Sequence, residues 1–404
     1  MTYLYQGEKL SLDFATRAPV VPHDKGSINA KYIKGEVRIV TEQARYPLAT
    51  VVGMCRDSSA YVLNPDFQRR HRWSKQKQSR LIESFIMNVP LPPIFLYEVE
   101  YSKYEVMDGL QRMTAIYEFY TDRYALTGLE EWRELNGLRY SDLPEQVRKG
   151  IDRRYLSSII LLRETAKSAE EAQRLKQMVF ERINSGGVQL EPQESRNAIY
   201  DGALNRLCIQ LARNPYLCRL WGIPEPSAAE LETGALADEL LENETFRRMD
   251  DVELVLRFFA YRQRLDHDHT ALNVYLDEYL SRGNSFSSEL LEKLKVLFER
   301  TVHLVFDVLG EEAFHLYRHR KSGWNWFDRP TKVVYEPIMF AFSQRLDCST
   351  RLRQQAAEIQ DALPGFYQEH YDIFGGRKVN RADAISRNDA AVALLDSFLS
   401  GDRS

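Results

Sequence analysis

The stretch Tyr104-Glu105-Val106-Met107-Asp108-Gly109-Leu110-Gln111-Arg112 constrains this chain most, because it asks a strand to turn at once into a helix. Tyr104–Met107 reads as a short strand, and Met113, Ile116, Tyr117 and Tyr120 then recur at helical spacing. A helix start exposes unpaired backbone N–H groups and carries partial positive charge. Gly109 would let a ligand approach that backbone closely, and Arg112 lies one turn in, so the junction reads as a phosphate site. Asp108 followed three residues later by Gln111 is also a capping-box spacing, which would serve helix stability alone. A cap needs neither Gly109 nor Arg112, and these two carry the functional excess.

The flanking sequence gives an α+β organisation. Trp73–Met87 reads as a helix with Leu81, Ile82, Phe85 and Ile86 on one face, ended by Val89-Pro90-Leu91-Pro92-Pro93. Ile94–Val99 and Tyr104–Met107 form a hairpin around Glu100–Lys103, and Leu156–Leu162 supplies a further strand. From about Ser168 the periodicity is helical, with segments near 251–265, 286–309, 333–346, 350–362 and 388–399. The expected division is an irregular arm over 1–45, a small α/β domain over 46–165 and an α-helical domain over 166–404. Residues 225–253 hold ten acids against two arginines, a pattern expected of a solvated face or loop.

At 404 residues, 44% hydrophobic and 28% charged, the chain has the composition of an ordinary globular protein with ample length for a core. A net charge of −4 means that any binding to nucleic acid must rest on a local patch. Cys55, Cys208, Cys218 and Cys348 are too scattered for a metal or redox motif and suggest buried thiols in a reducing cytoplasm. Met1–Glu8 has neither a basic nor an apolar leader segment, and no run approaches membrane-spanning length, so a cytoplasmic location away from the membrane is expected. Walker A, dinucleotide-binding glycine and Gly-x-Ser-x-Gly patterns are absent.

Several constellations could carry chemistry. Phe67–Arg80 holds Arg69, Arg70, Arg72, Lys75, Lys77 and Arg80 with no acid, interleaved with Phe67, His71 and Trp73. Such a set could meet phosphates and stack on bases, or simply form a solvated helix start. Arg182-Ile183-Asn184-Ser185-Gly186-Gly187 is either an inter-helix turn or a loop whose Arg182 and Asn184 close over phosphates from the second domain. Glu83 could hold a metal, or pair with Arg112 as scaffold; Asp108 is the better metal or general-base candidate. His267-Asp268-His269 reads as an exposed loop. Arg318-His319-Arg320-Lys321 with Trp324 and Trp326 forms a second basic–aromatic patch that could touch DNA, although a surface loop with buried Trp is the commoner outcome of such a pattern.

The set as a whole resembles a known family. "Asn64-Pro65-Asp66-Phe67-Gln68-Arg69…Trp73", "Leu81-Ile82-Glu83-Ser84…Pro90-Leu91-Pro92", "Asp108-Gly109-Leu110-Gln111-Arg112", "Phe180–Leu190" and "Glu194-Ser195-Arg196-Asn197" occur in an order that resembles the GmrSD restriction-endonuclease N-terminal domain family. The resemblance spans about residues 45–210; Leu110 and Met107 depart from it where Gln and Ile are usual. It implies a ParB/sulfiredoxin-like α/β domain in a prokaryotic anti-phage system. It further implies nucleoside-triphosphate binding and hydrolysis, with Mg²⁺ inferred from that reaction class and a separate nuclease or defence subunit as partner. Larger relatives carry an HNH-type nuclease domain, of which this sequence shows no recognisable arrangement. On this reading Asp108 and Gln111 are catalytic, while Gln68, Arg69, Gly109, Arg112, Arg182 and Asn184 bind nucleotide or phosphate. Asp108 and Glu83 are the metal candidates. The alternatives are a non-catalytic DNA-sensing adaptor using Arg70, Arg72, Lys75 and Lys77, and a ParB-like nicking nuclease.

Overall fold

The computed structural model describes residues 4–12, 24–34, 39–63, 73–162, 168–185, 191–233, 236–265, 271–321, 323–375 and 381–400. The chain forms two compact units: Thr16–Leu190, which holds a mixed sheet, and a helical unit made of Met1–Ala15 with Glu191–Ser404.

In the sheet unit the elements follow as α1 (Lys25–Lys34), β1 (Thr41–Pro47), α2 (Leu48–Arg56), β2 (Tyr61–Val62) and α3 (Lys75–Met87). Then come β3 (Ile94–Glu100), β4 (Lys103–Asp108), α4 (Leu110–Tyr120), α5 (Glu145–Asp152), β5 (Tyr155–Leu161) and α6 (Ala169–Ser185). Among the described residues five strands run in the order β1-β5-β3-β4-β2. The pairs β1–β5 and β3–β4 are antiparallel, and β3–β5 and β2–β4 are parallel. The expected hairpin is present: Tyr101 and Ser102 make its two-residue turn, with Ser102 at φ 59°. Helix α3 starts at Lys75 because the Ser74 hydroxyl accepts from the Lys77 N–H, and it stops where Asn88 turns left-handed before Pro90. Leu81, Ile82 and Phe85 from α3 meet Met113, Ile116 and Phe119 from α4 over Leu96, Val106 and Ile160 of the sheet. The α3 face is the one the periodicity marks; on α4 it marks Met113 and Ile116, but Phe119 is buried beside them while Tyr117 and Tyr120 are half-buried.

The expected divisions differ from the compact units at both ends. Residues 1–45 contain a helix at Lys25–Lys34 and the start of an edge strand at Thr41 rather than an irregular arm. Leu4–Leu12 belongs to the helical unit: Glu8 is fully buried and forms a two-pronged ion pair with Arg262, while Gln263 donates to the Glu8 carbonyl and accepts from the Leu10 N–H. Helix α6, grouped by its periodicity with the helical domain, lies in the sheet unit. Its Lys176, only 8% exposed, contacts both oxygens of Glu105 on β4 at 2.8 and 2.7 Å.

The helical unit is organised by charge as well as by apolar packing. Arg196, buried at the end of the Glu194–Asn197 motif, contacts Glu253 at 3.0 Å and Asp277 at 2.6 Å. Glu253 also receives Arg257 and Lys332, each at 2.9 Å, and Arg257 reaches Glu336 at 2.6 Å. The acidic run therefore does not end on a solvated face: Asp251 and Glu253 are buried. The segment Tyr317–Trp326, expected as a loop, is a two-stranded ribbon of β6 (Tyr317–Arg320) and β7 (Gly323–Trp326), and Trp326 is exposed. His267-Asp268-His269 lies outside the described residues. All four cysteines are free, and burial pushes the Cys55 thiol up to about 12. No helix among the described residues is long and apolar enough to cross a membrane.

Burial alone would raise the Glu253 carboxyl, but Arg257, Lys332 and Arg196 outweigh it and hold the group at about 2, below its ordinary 4.5. Its stabilisation is therefore complete above about pH 4.5 and is lost as pH falls towards 2. Glu253→Gln should lower stability by about 3 kcal/mol at neutral pH, since it removes the charge that Arg196, Arg257 and Lys332 share and leaves each with its second carboxylate, Asp277, Glu336 and Asp250. It should also flatten the acid limb of the stability curve; urea unfolding monitored from neutral pH downwards checks both.

Candidate functional site

Strand β4 ends at Asp108, and Gly109 starts α4. Gly109 has φ +99°, a left-handed conformation that a side chain would strain. A β-carbon there would also collide with Ile94 Cγ2. The space beside Gly109 is thus filled by Ile94 of β3, so the glycine is required by strand–helix packing and not by ligand approach from that side. Among the described residues no side chain caps the start of α4, and no Asp108/Gln111 capping box is formed.

Asp108 and Gln111 do other work. Asp108 pairs with Arg112 at 2.9 Å, and the same guanidinium donates a second hydrogen bond to the Pro92 carbonyl at the end of the proline-rich link. The Asp108 side chain is 45% exposed and that of Arg112 only 11%, so a carboxylate at the surface is anchored by a cation beneath it. Burial pushes the Arg112 pKa down and Asp108 opposes this; an arginine stays charged under such a shift. The Gln111 side-chain oxygen accepts from the Trp73 backbone N–H at 3.2 Å, which fastens the chain just before α3 to the first turn of α4.

Other expected site residues separate from this junction. Glu83 does not pair with Arg112: one of its oxygens accepts from the backbone N–H groups of Glu131 and Trp132, at 3.0 and 2.9 Å, so it ties a loop to α3. Lys75 contacts Glu118 at 2.8 Å and lies over the Tyr124 ring, Arg80 pairs with Glu130, and Lys77 lies 4.6 Å from the centre of the Trp73 ring. Lys75 and Arg80 of the basic run thus meet acids supplied by distant parts of the sequence. Arg182 is exposed on α6, and Asn184 falls in the same helix; both lie in the sheet unit rather than in the helical one. Gln68, Arg69, Arg70 and Arg72 lie outside the described residues. Among the described residues no group of three or more His, Cys, Asp or Glu side chains is placed to hold a metal.

Sequence reasoning missed two contributors to the junction, the Pro92 carbonyl and Ile94, and also the Glu105–Lys176 pair that ties α6 to β4. A Pro-rich link and a strand start carry no pattern that announces contact with a helix some twenty residues later. The buried Lys176 had no signal beyond its place in an amphipathic helix.

Together these features define a mixed-sheet α/β domain whose distinguishing point is an uncapped helix start with an arginine-anchored carboxylate beside it. Residues 52–200 match the family model of the GmrSD restriction endonuclease, N-terminal domain, and this segment is a GmrSD N-terminal domain, a domain of restriction-type defence systems. No curated protein and no solved structure matches the chain.

Gly109→Ala should destabilise the sheet unit by at least ~2 kcal/mol, because it adds left-handed strain to an overpacked contact with Ile94. Urea unfolding measures the loss. A change below ~0.5 kcal/mol would contradict the packing role of Gly109.

Proposed function

We propose that the Asp108–Arg112 junction binds a nucleoside triphosphate and hydrolyses it, as the nucleotide-dependent module of a restriction-type system. The observation that carries this reading is the uncapped start of α4 with Asp108 at its mouth. The first N–H groups of an uncapped helix suit phosphate oxygens, and the helix dipole favours their charge. Arg112 holds Asp108 in place through the 2.9 Å pair and adds positive potential from below.

Mg²⁺ fits this donor set. It commonly binds through one or two carboxylates with substrate phosphates and water completing the shell, and Asp108 is the half-exposed carboxylate at the junction. When bound, it would neutralise charge developing on the phosphates. Gln111, its side-chain oxygen fixed by Trp73, orients the attacking water. Gln68 and Arg69, just upstream of Trp73 in sequence, with Arg182 and Asn184 on α6, complete the proposed phosphate contacts. Glu83 has no part in it, because its carboxylate is engaged with the 131–132 backbone.

A DNA-sensing adaptor that uses the basic run of α3 is the competing reading. It is disfavoured by the acids already facing Lys75 and Arg80. A nicking nuclease would show Mg²⁺-dependent strand cleavage that disappears with Asp108→Ala.

Phosphate release from each of the four nucleoside triphosphates with Mg²⁺ tests the proposal. Asp108→Asn keeps an acceptor for Arg112, so it should leave the melting temperature nearly unchanged while turnover falls at least about tenfold. Arg112→Lys should raise KM more than it lowers kcat, since it keeps the charge and loses the fork that spans Asp108 and Pro92. Glu83→Gln should retain turnover. An Asp108→Asn protein with full turnover, or a wild type inert towards all four nucleotides, would sink the hydrolytic reading.

A further inference from the structure

We propose that the ribbon formed by β6 and β7, with Phe327 and Arg329, is a phosphate-binding surface for the backbone of a nucleic acid. Its register places Tyr317 opposite Trp326 and His319 opposite Trp324, so these four share one face. That face packs on the helical unit, with Trp324 against Tyr371 and Trp326 against Tyr367. Arg318 and Arg320 stand on the other face, opposite Asn325 and Gly323. The aromatic side therefore anchors the ribbon and turns its cations outward.

On the outward side three guanidiniums gather around one ring. Arg318, Arg329 and Arg320 lie 3.7, 5.1 and 5.4 Å from the centre of the Phe327 ring. Lys321 extends the row to the exposed tip of the ribbon. Asp328, exposed between Phe327 and Arg329, is the acid of this segment, yet it pairs with none of these cations; none of the four has an ion-pair partner among the described residues. The Nε of Arg318 is buried without a hydrogen-bond acceptor. Contact with a ring offsets only part of the mutual repulsion of three cations, and a buried donor without an acceptor carries a cost. An anion that meets the exposed guanidiniums relieves the mutual repulsion of the three cations, while the Arg318 Nε, closed to solvent, stays out of its reach.

An elongated row of cations suits a polyanion better than a single small anion. Elsewhere in this acidic chain cations are commonly paired, as Arg80 is with Glu130 and Arg345 with Asp396. This ribbon lies in the helical unit, and its proposed role is independent of the Asp108 reading.

The test is fluorescence anisotropy of the full chain with a labelled DNA duplex of roughly 20 base pairs, between about 50 and 200 mM salt. Wild type should bind, with an affinity that falls steeply as salt rises. Arg320→Glu with Arg329→Glu should weaken binding at least tenfold and reduce the salt slope by about 2, one for each phosphate left without its arginine. Both residues are exposed; if the Glu pair melts early, the Gln pair removes the charge more gently and should give the same direction. Lys149→Gln, which removes an exposed cation of the sheet unit, should bind as wild type does. Absence of wild-type binding at about 50 mM salt, or unchanged affinity and slope in the charge variants, would overturn the proposal. So would equal affinity for polyglutamate, which would make this a site for acidic protein.

Discussion

The guanidinium of Arg112 is the contact on which the strand-to-helix junction depends. It is anchored in the sheet unit with only 11% of its side chain exposed, pairs with Asp108 at the end of β4 and donates to Pro92 at the entry to β3. One planar cation thus fixes the start of a strand, the end of its neighbour and the first turn of α4. Arginine suits this task because its fork serves two acceptors at once and it stays charged when buried. Gly109 completes the junction from the opposite side, since only a residue without a β-carbon lets the turn sit against Ile94. The outcome is a carboxylate held near solvent beside a helix start that no side chain among the described residues caps.

The helical unit uses the same physics at greater depth. Glu253 is surrounded by Arg196, Arg257 and Lys332, and the combined attraction exceeds the cost of burying the carboxylate. Glu8 and Arg262 repeat the arrangement where the N-terminal segment joins the helix Asp250–Arg264. Buried charges of this kind confer geometry more than raw stability, because breaking one partnership leaves others uncompensated. The ribbon β6–β7 is the exception: among the described residues its cations have no ion-pair partners, and the proposed phosphate contacts rest on that.

The parts of the fold that rest on local pattern were legible in the sequence. The Leu81–Phe85 face, the β3–β4 hairpin with its Tyr101-Ser102 turn and the strand-to-helix junction follow from periodicity and turn chemistry. What depends on distant partners was not. Asp108 looked like a cap because Gln111 stands three residues on, and nothing local shows that Arg112 takes the carboxylate and Trp73 the amide. Glu83 could not be assigned to the 131–132 backbone, nor the acidic run to a buried hub, because their partners lie some 50 to 80 residues away. Leu4–Leu12 read as irregular because its order comes from Arg262 and Gln263.

Backbone hydrogen exchange with and without a Mg²⁺-bound nucleoside triphosphate tests the central claim most directly, because it reports where the nucleotide sits. The account predicts slowed exchange at the first N–H groups of α4, from Gly109 to Arg112, with residues 288–309 of the helical unit unchanged. Nucleotide binding that leaves those amides exchanging as in the free protein, while protecting another part of the chain, would contradict it.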